Sequence, residues 1–344
     1  MGAKQARIAF VGAGNHATES LYPNIAHIPE FDLVAVCDLV EERAASAAHR
    51  FGAGGYYTDV EKMLRDAAPD GVCVVGPPAM HHDVGLEVLS HGLPVFIEKP
   101  PATSLKGAQE LVDMAASKGT WGMVAFMKRF APANVVAKEY TATSAFGAMS
   151  SVTVMHSSGP YDDFYKMLIF NGIHLIDLAR FFGGDVEALS AYGYDGANNT
   201  KAIAASFRFQ SGIPGILNMN SSASWGDCFE QAYVTGTGAG MLLDASKSVE
   251  LMAGDRAFAK PDDMHLFGWS SRYYVSGNMA GWWAGGHYTR GYWGELSQFA
   301  KALLGQAEPA PSLRDGLENM RFIEAVMISL RENNRVVKLA DVKA

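Results

Sequence analysis

The chain has 344 residues, 49% of them hydrophobic and 19% charged, a size and balance that predict a folded protein with two cores rather than one. A formal charge of −8, with no Lys/Arg-rich run, argues against nucleic acid or an anionic membrane surface as partner, and no apolar run reaches the length of a membrane span. Cys37, Cys73 and Cys228 lack metal-site spacing, so reduced structural thiols in a cytoplasmic protein, and no bound metal, are expected.

Met1 to Arg7 lead directly into a strand, so no secretory leader is expected. Arg7 to Val11 reads as a short buried strand, followed by Gly12-Ala13-Gly14-Asn15-His16-Ala17 and a helix-like stretch from Thr18. This is G-x-G-x-x-A in the strand–turn–helix setting the motif needs. The first glycine permits the tight turn, the second lets backbone approach a pyrophosphate, and Ala17 lets the helix pack closely. The next strand, Asp32 to Cys37, ends at Asp38, where an acid suits a ribose 2′-hydroxyl and repels a 2′-phosphate. NAD is therefore favoured over NADP, with Arg43 a turn further on as the counter-argument. Asp38 can equally cap a helix.

Helix-like and strand-like segments then alternate. Glu42–Arg50, Asp59–Ala67, Asp83–His91 and Ser104–Lys118 read as helices. Tyr56–Tyr57, Gly71–Val75, Leu93–Ile97 and Trp121–Phe126 read as strands. That alternation predicts a parallel, doubly wound sheet. The strand at Leu93–Ile97 runs into Glu98-Lys99-Pro100, which puts an ammonium at the carboxyl edge of the sheet, where open α/β folds bind ligands. The second half changes character. Met149–Met155 alternates, Ala202–Phe209 and Ile213–Met219 flank the turn Ser211-Gly212, and Gln231–Thr235 and Met241–Ala245 flank a glycine-rich link. Runs of strands after a βα region suggest an α+β partner domain. Ile169–Phe182 reads as a helix ended by Gly183-Gly184, with Asn171, His174 and Asp177 roughly on one face. Gly294–Leu304 and Leu313–Arg331 read as late amphipathic helices.

The glycine loop, Asp38, Pro77-Pro78-Ala79-Met80-His81, the Glu98-Lys99-Pro100 turn and His174-Leu175-Ile176-Asp177 together resemble the Gfo/Idh/MocA family of NAD(P)-dependent oxidoreductases. The resemblance runs over nearly the whole chain. It implies a Rossmann domain over 1–125 and, over 126–344, an α+β substrate and oligomerisation domain with an open, mainly antiparallel sheet. It implies hydride transfer between nicotinamide and a secondary alcohol or carbonyl of a sugar, cyclic polyol or related small molecule, in a homodimer or homotetramer. Lys99 and His174 carry over as the proton-transfer pair. The physical logic agrees: alcohol oxidation needs a base such as histidine for the hydroxyl proton, and a lysine can steady the developing alkoxide.

The cofactor set is Gly12, Gly14, Asn15, His16, Ala17, Asp38, Pro77, His81, Glu98 and Lys99. His81 supports the nicotinamide pocket or caps a helix, Glu98 braces the turn or meets ribose, and Pro100 can follow a cis peptide, as it often does in the family. Substrate candidates are Lys128, His156, Tyr161, Asn171 and His287. His287 lies in a loop with Trp282, Trp283 and Tyr288, whose rings suit sugar faces. One departure stands out: many family members carry an Asp four residues before the histidine, and here Phe170 occupies that place. Two alternatives share the cofactor: a glycoside hydrolase that recycles tightly held NAD, and a non-catalytic NAD(H) sensor.

Overall fold

The structure is a computed structural model that describes residues 4–225, 228–253, 269–274 and 290–344. The chain divides into two compact units, Met1–Phe130 with Gly291–Met320 and Ala344, and Ala131–Arg290 with Arg321–Lys343.

The first unit is built on β1 (Ala6–Val11), β2 (Phe31–Cys37), β3 (Tyr56–Tyr57), β4 (Gly71–Val74), β5 (Val95–Glu98) and β6 (Gly122–Ala125), in the order β3-β2-β1-β4-β5-β6. Every pair is parallel. All four residues of β4, β5 and β6 are buried, which explains their continuous apolar character: a parallel sheet is covered on both faces. The helices are α1 (Tyr22–Ile25), α2 (Glu41–Phe51), α3 (Val60–Ala67), α4 (Pro78–Ser90), α5 (Leu105–Lys118) and the late helix α9 (Tyr292–Leu303). Small residues let them close on the sheet. A Cβ on Gly85 of α4 would stand 2.7 Å from Ile97 Cδ1, and one on Gly71 of β4 would stand 3.0 Å from Phe299 of α9. Strand order reverses between β1 and β4, which makes the carboxyl ends of those strands the switch-point crevice.

The predicted helix boundaries hold where a capping side chain sets them. Asp59 accepts from Lys62 N–H at 2.7 Å, and Ser104 accepts from Gly107 N–H at 3.2 Å. α4 starts five residues earlier than the sequence suggests, because Pro78 stands at its first position, where a missing N–H costs nothing.

The second unit holds α6 (Pro132–Thr141), β7 (Met149–Ser157), α7 (Phe164–Met167), a π turn at Leu168–Gly172, α8 (Ile173–Gly183), β8 (Val186–Asp195), β9 (Lys201–Phe209), β10 (Pro214–Asn220), β11 (Phe229–Gly236), β12 (Ala239–Asp244), β13 (Ser248–Ala253), β14 (Trp269–Tyr274) and β15 (Val337–Lys338). Among the described residues these strands form one sheet, β14-β13-β12-β11-β7-β10-β9-β8-β15. The β7–β10 pair is parallel and the other pairs are antiparallel. Alternation along β9 and β10 puts one face inward and leaves the other exposed. α8 packs over β7, and the π turn before it lies close against β10 at Gly172, where a Cβ would stand 2.9 Å from Met219 Sδ. α10 (Leu313–Arg331) divides its residues between the two units. No described helix is long and apolar enough to cross a membrane.

Candidate active site

The chain leaves β1 through Gly12, whose φ is +109°, and a Cβ there would lie 1.8 Å from the Val75 carbonyl oxygen. Only glycine fits. A Cβ on Gly14 would meet nothing within 4 Å, so protein packing does not demand that glycine. Its open side is the space a pyrophosphate needs to reach the backbone. Ala17 is buried in the core and opens a π turn, Ala17–Leu21, that runs into α1. Asn15 and His16 stay exposed. The buried Tyr22 hydroxyl donates to the Gly12 carbonyl at 3.0 Å and holds the turn from below.

Asp38 accepts the Ala13 N–H at 2.8 Å through one carboxylate oxygen and the Val40 N–H at 2.9 Å through the other. Val40, not Asp38, is the N-cap of α2. The carboxylate therefore fastens the glycine loop to the chain after β2 and keeps lone pairs for a ligand. A cavity of about 470 Å³ opens beside it, walled by Gly12, Gly14, Val40, Pro77, Met80 and Val84, with Asp38, Asp59, Glu87 and Arg43 as its charged groups. Apolar walls, an open glycine and a ribose-type acid are what the adenosine and pyrophosphate half of a dinucleotide requires, so these residues fit the cofactor.

At the end of β5, buried Glu98 faces His16 Nε2 at 3.0 Å with one oxygen and accepts the Lys99 N–H at 2.8 Å with the other. Burial pushes this carboxyl up, but His16, Lys99 and His81 outweigh it and hold it below the usual carboxylate range. The Lys99–Pro100 peptide is cis. His81, inside α4, accepts the Gly76 N–H at Nε2 (2.9 Å) and donates from Nδ1 to the Pro100 carbonyl (2.8 Å). It is a tie between the segments after β4 and β5 rather than a helix cap. Burial lowers its pKa, in keeping with the neutral ring this pattern needs. Burial likewise lowers the Lys99 ammonium, Glu98 and Glu295 raise it, and Lys128 lowers it. Lys128 sits half-buried in the 3-10 turn Met127–Phe130, whereas Arg129 pairs with Asp315 at 3.0 Å and is structural.

The second unit carries its own cluster. His156, buried at the end of β7, has Nε2 3.2 Å from the Asn171 amide nitrogen and Nδ1 3.7 Å from Glu230 of β11, its register partner. Asn171 lies in the π turn, and half-buried His174 follows in α8. Phe170 is 41% exposed. Tyr161 is buried edge-on to Trp225, 5.1 Å between ring centroids. Lys166 forms an exposed pair with Asp162 at 2.6 Å. Asp177 is buried, and Arg180 pairs with Asp185. His287, with its aromatic loop, lies outside the described residues.

The first unit thus gathers the glycine loop, Asp38, Pro77, His81, Glu98, Lys99 and Lys128, and the second gathers His156, Asn171 and His174. Three contributors escaped the sequence reading: Tyr22, Glu230 and Glu295. Glu230 left no signal, since its place depends on strand register. Glu295 left one, a single acid in an apolar stripe, Tyr292, Leu296, Phe299 and Ala300.

Residues 6–126 match an oxidoreductase family with an NAD-binding Rossmann fold, and residues 167–339 match the C-terminal α/β domain of that family. Inositol 2-dehydrogenase of Rubrobacter xylanophilus is 27% identical over 331 residues, 93% of this chain and 88% of that protein. D-glucoside 3-dehydrogenase of Escherichia coli is 27% identical over 216 residues, 57% of this chain and 60% of that protein. A dehydrogenase from Chromobacterium violaceum has the same fold, with a TM-score of 0.84 at 24% identity over 96% of each chain.

Proposed function

The chain belongs to the Gfo/Idh/MocA oxidoreductase family, and on that premise we propose that it is an NAD-dependent dehydrogenase or reductase for a secondary alcohol or carbonyl of a sugar, an inositol-like polyol or a related small molecule. The observation that carries the reading is the chain of contacts from the dinucleotide loop to the lysine: His16 to Glu98, and Glu98 to the Lys99 backbone. A cofactor seated on the loop and a substrate addressed by Lys99 are thereby coupled through one buried carboxylate. The substrate class draws support from the relatives, one an inositol dehydrogenase and one a glucoside dehydrogenase. The preference for NAD draws support from Asp38 and from Asp59 and Glu87 in the same lining, three acids against the one cation there, Arg43, among the described residues.

NAD, when bound, supplies the hydride acceptor. The Lys99 ammonium donates to the substrate oxygen and stabilises alkoxide charge. His174 takes the hydroxyl proton, a role an imidazole can fill as a general base. Asn171 can hydrogen-bond a substrate hydroxyl but cannot act as a base, and with Phe170 in the usual place of an Asp, His174 works without that carboxylate. Lys128 in the first unit and His156 and Tyr161 in the second are the further candidates for substrate contact. The reading includes a cytoplasmic homodimer or homotetramer joined through the exposed face of the second sheet.

The test mixes stoichiometric protein and NAD⁺ with cyclic polyols, aldoses, sugar acids and glycosides and follows NADH absorbance. A rise with one class names the substrate. Lys99→Ala lowers turnover by about 10² or more while NADH still quenches tryptophan fluorescence. Near-normal turnover in that variant removes the lysine from the mechanism. Intact NADH binding with no rise for any class overturns the dehydrogenase reading.

A further inference from the structure

Three side chains from three elements of the second unit meet near the end of β7. His156 and Glu230 are register partners across β7 and β11, so both rise from the same face of the sheet. On its other side His156 is paired with Met219 of β10, which is fully buried. α8 packs over β7, and the π turn ahead of it sets Asn171 against the imidazole. The Asn171 amide nitrogen lies 3.2 Å from His156 Nε2, and a Glu230 carboxyl oxygen lies 3.7 Å from Nδ1. His156 is only 7% exposed, so the ring is held inside the protein with a different neighbour at each nitrogen. Asn171 is half-buried and stands three residues before His174.

A neutral imidazole has one N–H and one lone pair, and its neighbours decide which nitrogen bears which. An N–H at Nδ1 points its positive end at the Glu230 carboxylate, whereas a lone pair there sets negative charge against negative charge. The separation of 3.7 Å is longer than a direct hydrogen bond, but at a buried ring the sign of the interaction still decides between the two forms. The proton therefore sits on Nδ1, and Nε2 keeps its lone pair. That lone pair takes a donor, and the Asn171 amide nitrogen is the donor placed against it. Which way an amide points follows from its hydrogen-bond network. An amide that turns its nitrogen to His156 turns its carbonyl oxygen away from it.

We propose that Glu230, acting through His156, fixes the direction of the Asn171 amide so that Asn171 offers its carbonyl oxygen to the substrate. Glu230 and His156 are positioning residues in this arrangement, and Asn171 is the group that touches substrate. The proposal rests on the reading of Asn171 and His174 as parts of a dehydrogenase site, but its first test does not. The arrangement selects a substrate class. A carbonyl oxygen accepts from a hydroxyl and repels a carboxylate, which has no proton to give. The substrate group that Asn171 meets is therefore a hydroxyl, as on a neutral sugar or cyclic polyol, and not the carboxylate of a sugar acid.

The first readout needs no turnover. In cofactor-free protein carrying isotopically labelled histidine, nitrogen–proton correlation spectra in mildly alkaline buffer report which ring nitrogen bears the proton, and the His156 signals are those lost in His156→Gln. The expected pattern is a neutral ring protonated at Nδ1. A ring protonated at Nε2, or at both nitrogens, makes Nε2 a donor, turns the amide about and overturns the proposal. In Glu230→Leu the Nδ1–H form gives way to a mixture or to the Nε2–H form, and a folded variant that keeps the wild-type pattern overturns the role of Glu230. With the active substrate, Glu230→Leu raises KM by about three- to tenfold, the worth of one hydrogen bond, with a smaller change in kcat. It also narrows the preference for the neutral substrate over the matching sugar acid, and an unchanged preference in the folded variant overturns the choice of substrate class. Wild-type protein that shows the Nδ1–H pattern yet reduces NAD⁺ with no class of substrate would instead overturn the dehydrogenase reading and leave the arrangement of the three side chains standing.

Discussion

Asp38 shows how one side chain can hold two jobs. Its oxygens already accept the Ala13 and Val40 N–H groups, so it shapes the loop before any ligand arrives. Asp38→Asn keeps one acceptor and removes the charge. The expected result is NAD⁺ affinity weakened about 10–100-fold, the worth of one charge-assisted hydrogen bond, with NADP⁺ affinity unchanged or improved. Titration of tryptophan fluorescence with both cofactors checks it, and equal losses for the two would mean the acid serves only the loop. Residues of this kind were legible in the sequence because their backbone places them: Gly12, Asp38 and Lys99 all end strands whose pattern is plain. Glu230 and His156 meet across β7 and β11, and no local pattern fixes which residues of two distant strands become partners. Tyr22 reads as an ordinary helix aromatic until its hydroxyl is seen on the Gly12 carbonyl.

The turn from β1 to the first helix uses two glycines for opposite reasons, and substitution separates them. Gly12→Ala drives a Cβ into the Val75 carbonyl at a positive φ. It costs about 1–3 kcal/mol or more in strain, visible as a lower urea midpoint. Gly14→Val has room in the protein, so the midpoint stays near wild type while NADH binding falls by at least about tenfold as the side chain fills the pyrophosphate's approach. Loss of stability in both variants would remove the distinction. Helices with capping side chains, such as α3 and α5, were readable to a residue. The helix bearing His174 was only partly so. It starts at Phe164 rather than Ile169 and carries a π turn at Leu168–Gly172, a hydrogen-bonding change that side-chain periodicity does not announce. β8, β13, β14 and α6 were not picked out, their alternation being too weak or too interrupted.

At the scale of the molecule, the parallel sheet followed by an antiparallel one was legible from the change in patterning alone. The exposed face of the second sheet carries a row, Tyr233–Thr153–Ile216–Ser206, aligned across β11, β7, β10 and β9. Tyr233 and Ile216 are exposed, as is Tyr192 nearby on β8. If the proposed oligomer joins through this face, Ile216→Asp with Tyr233→Arg sediments as a monomer; an unchanged oligomer would move the contact elsewhere. Global stability should also register Glu295. Its folded pKa is raised above the unfolded value, so the stability it permits is fully present below about pH 4.3 and is lost as pH rises toward the folded value. Glu295→Met therefore raises the melting temperature, and by more at pH 8 than at pH 5. An equal gain at both would mean that the folded carboxyl is already ionised at pH 5 and is not held above the unfolded value.

The first unit takes Gly291–Met320 as part of its fold, and there Phe299 fills the gap between Phe96 and Trp121 while Leu303 covers Gly71. Nothing in the periodicity of that segment says where it packs. A ribosome that has delivered β6 has made every strand of the nucleotide-binding sheet, yet about 170 residues remain to be translated before the helix that covers one face emerges. At common elongation rates that interval is on the order of ten seconds or more. For that time the nascent sheet leaves Phe96 and Trp121 without the helix that covers them in the folded protein.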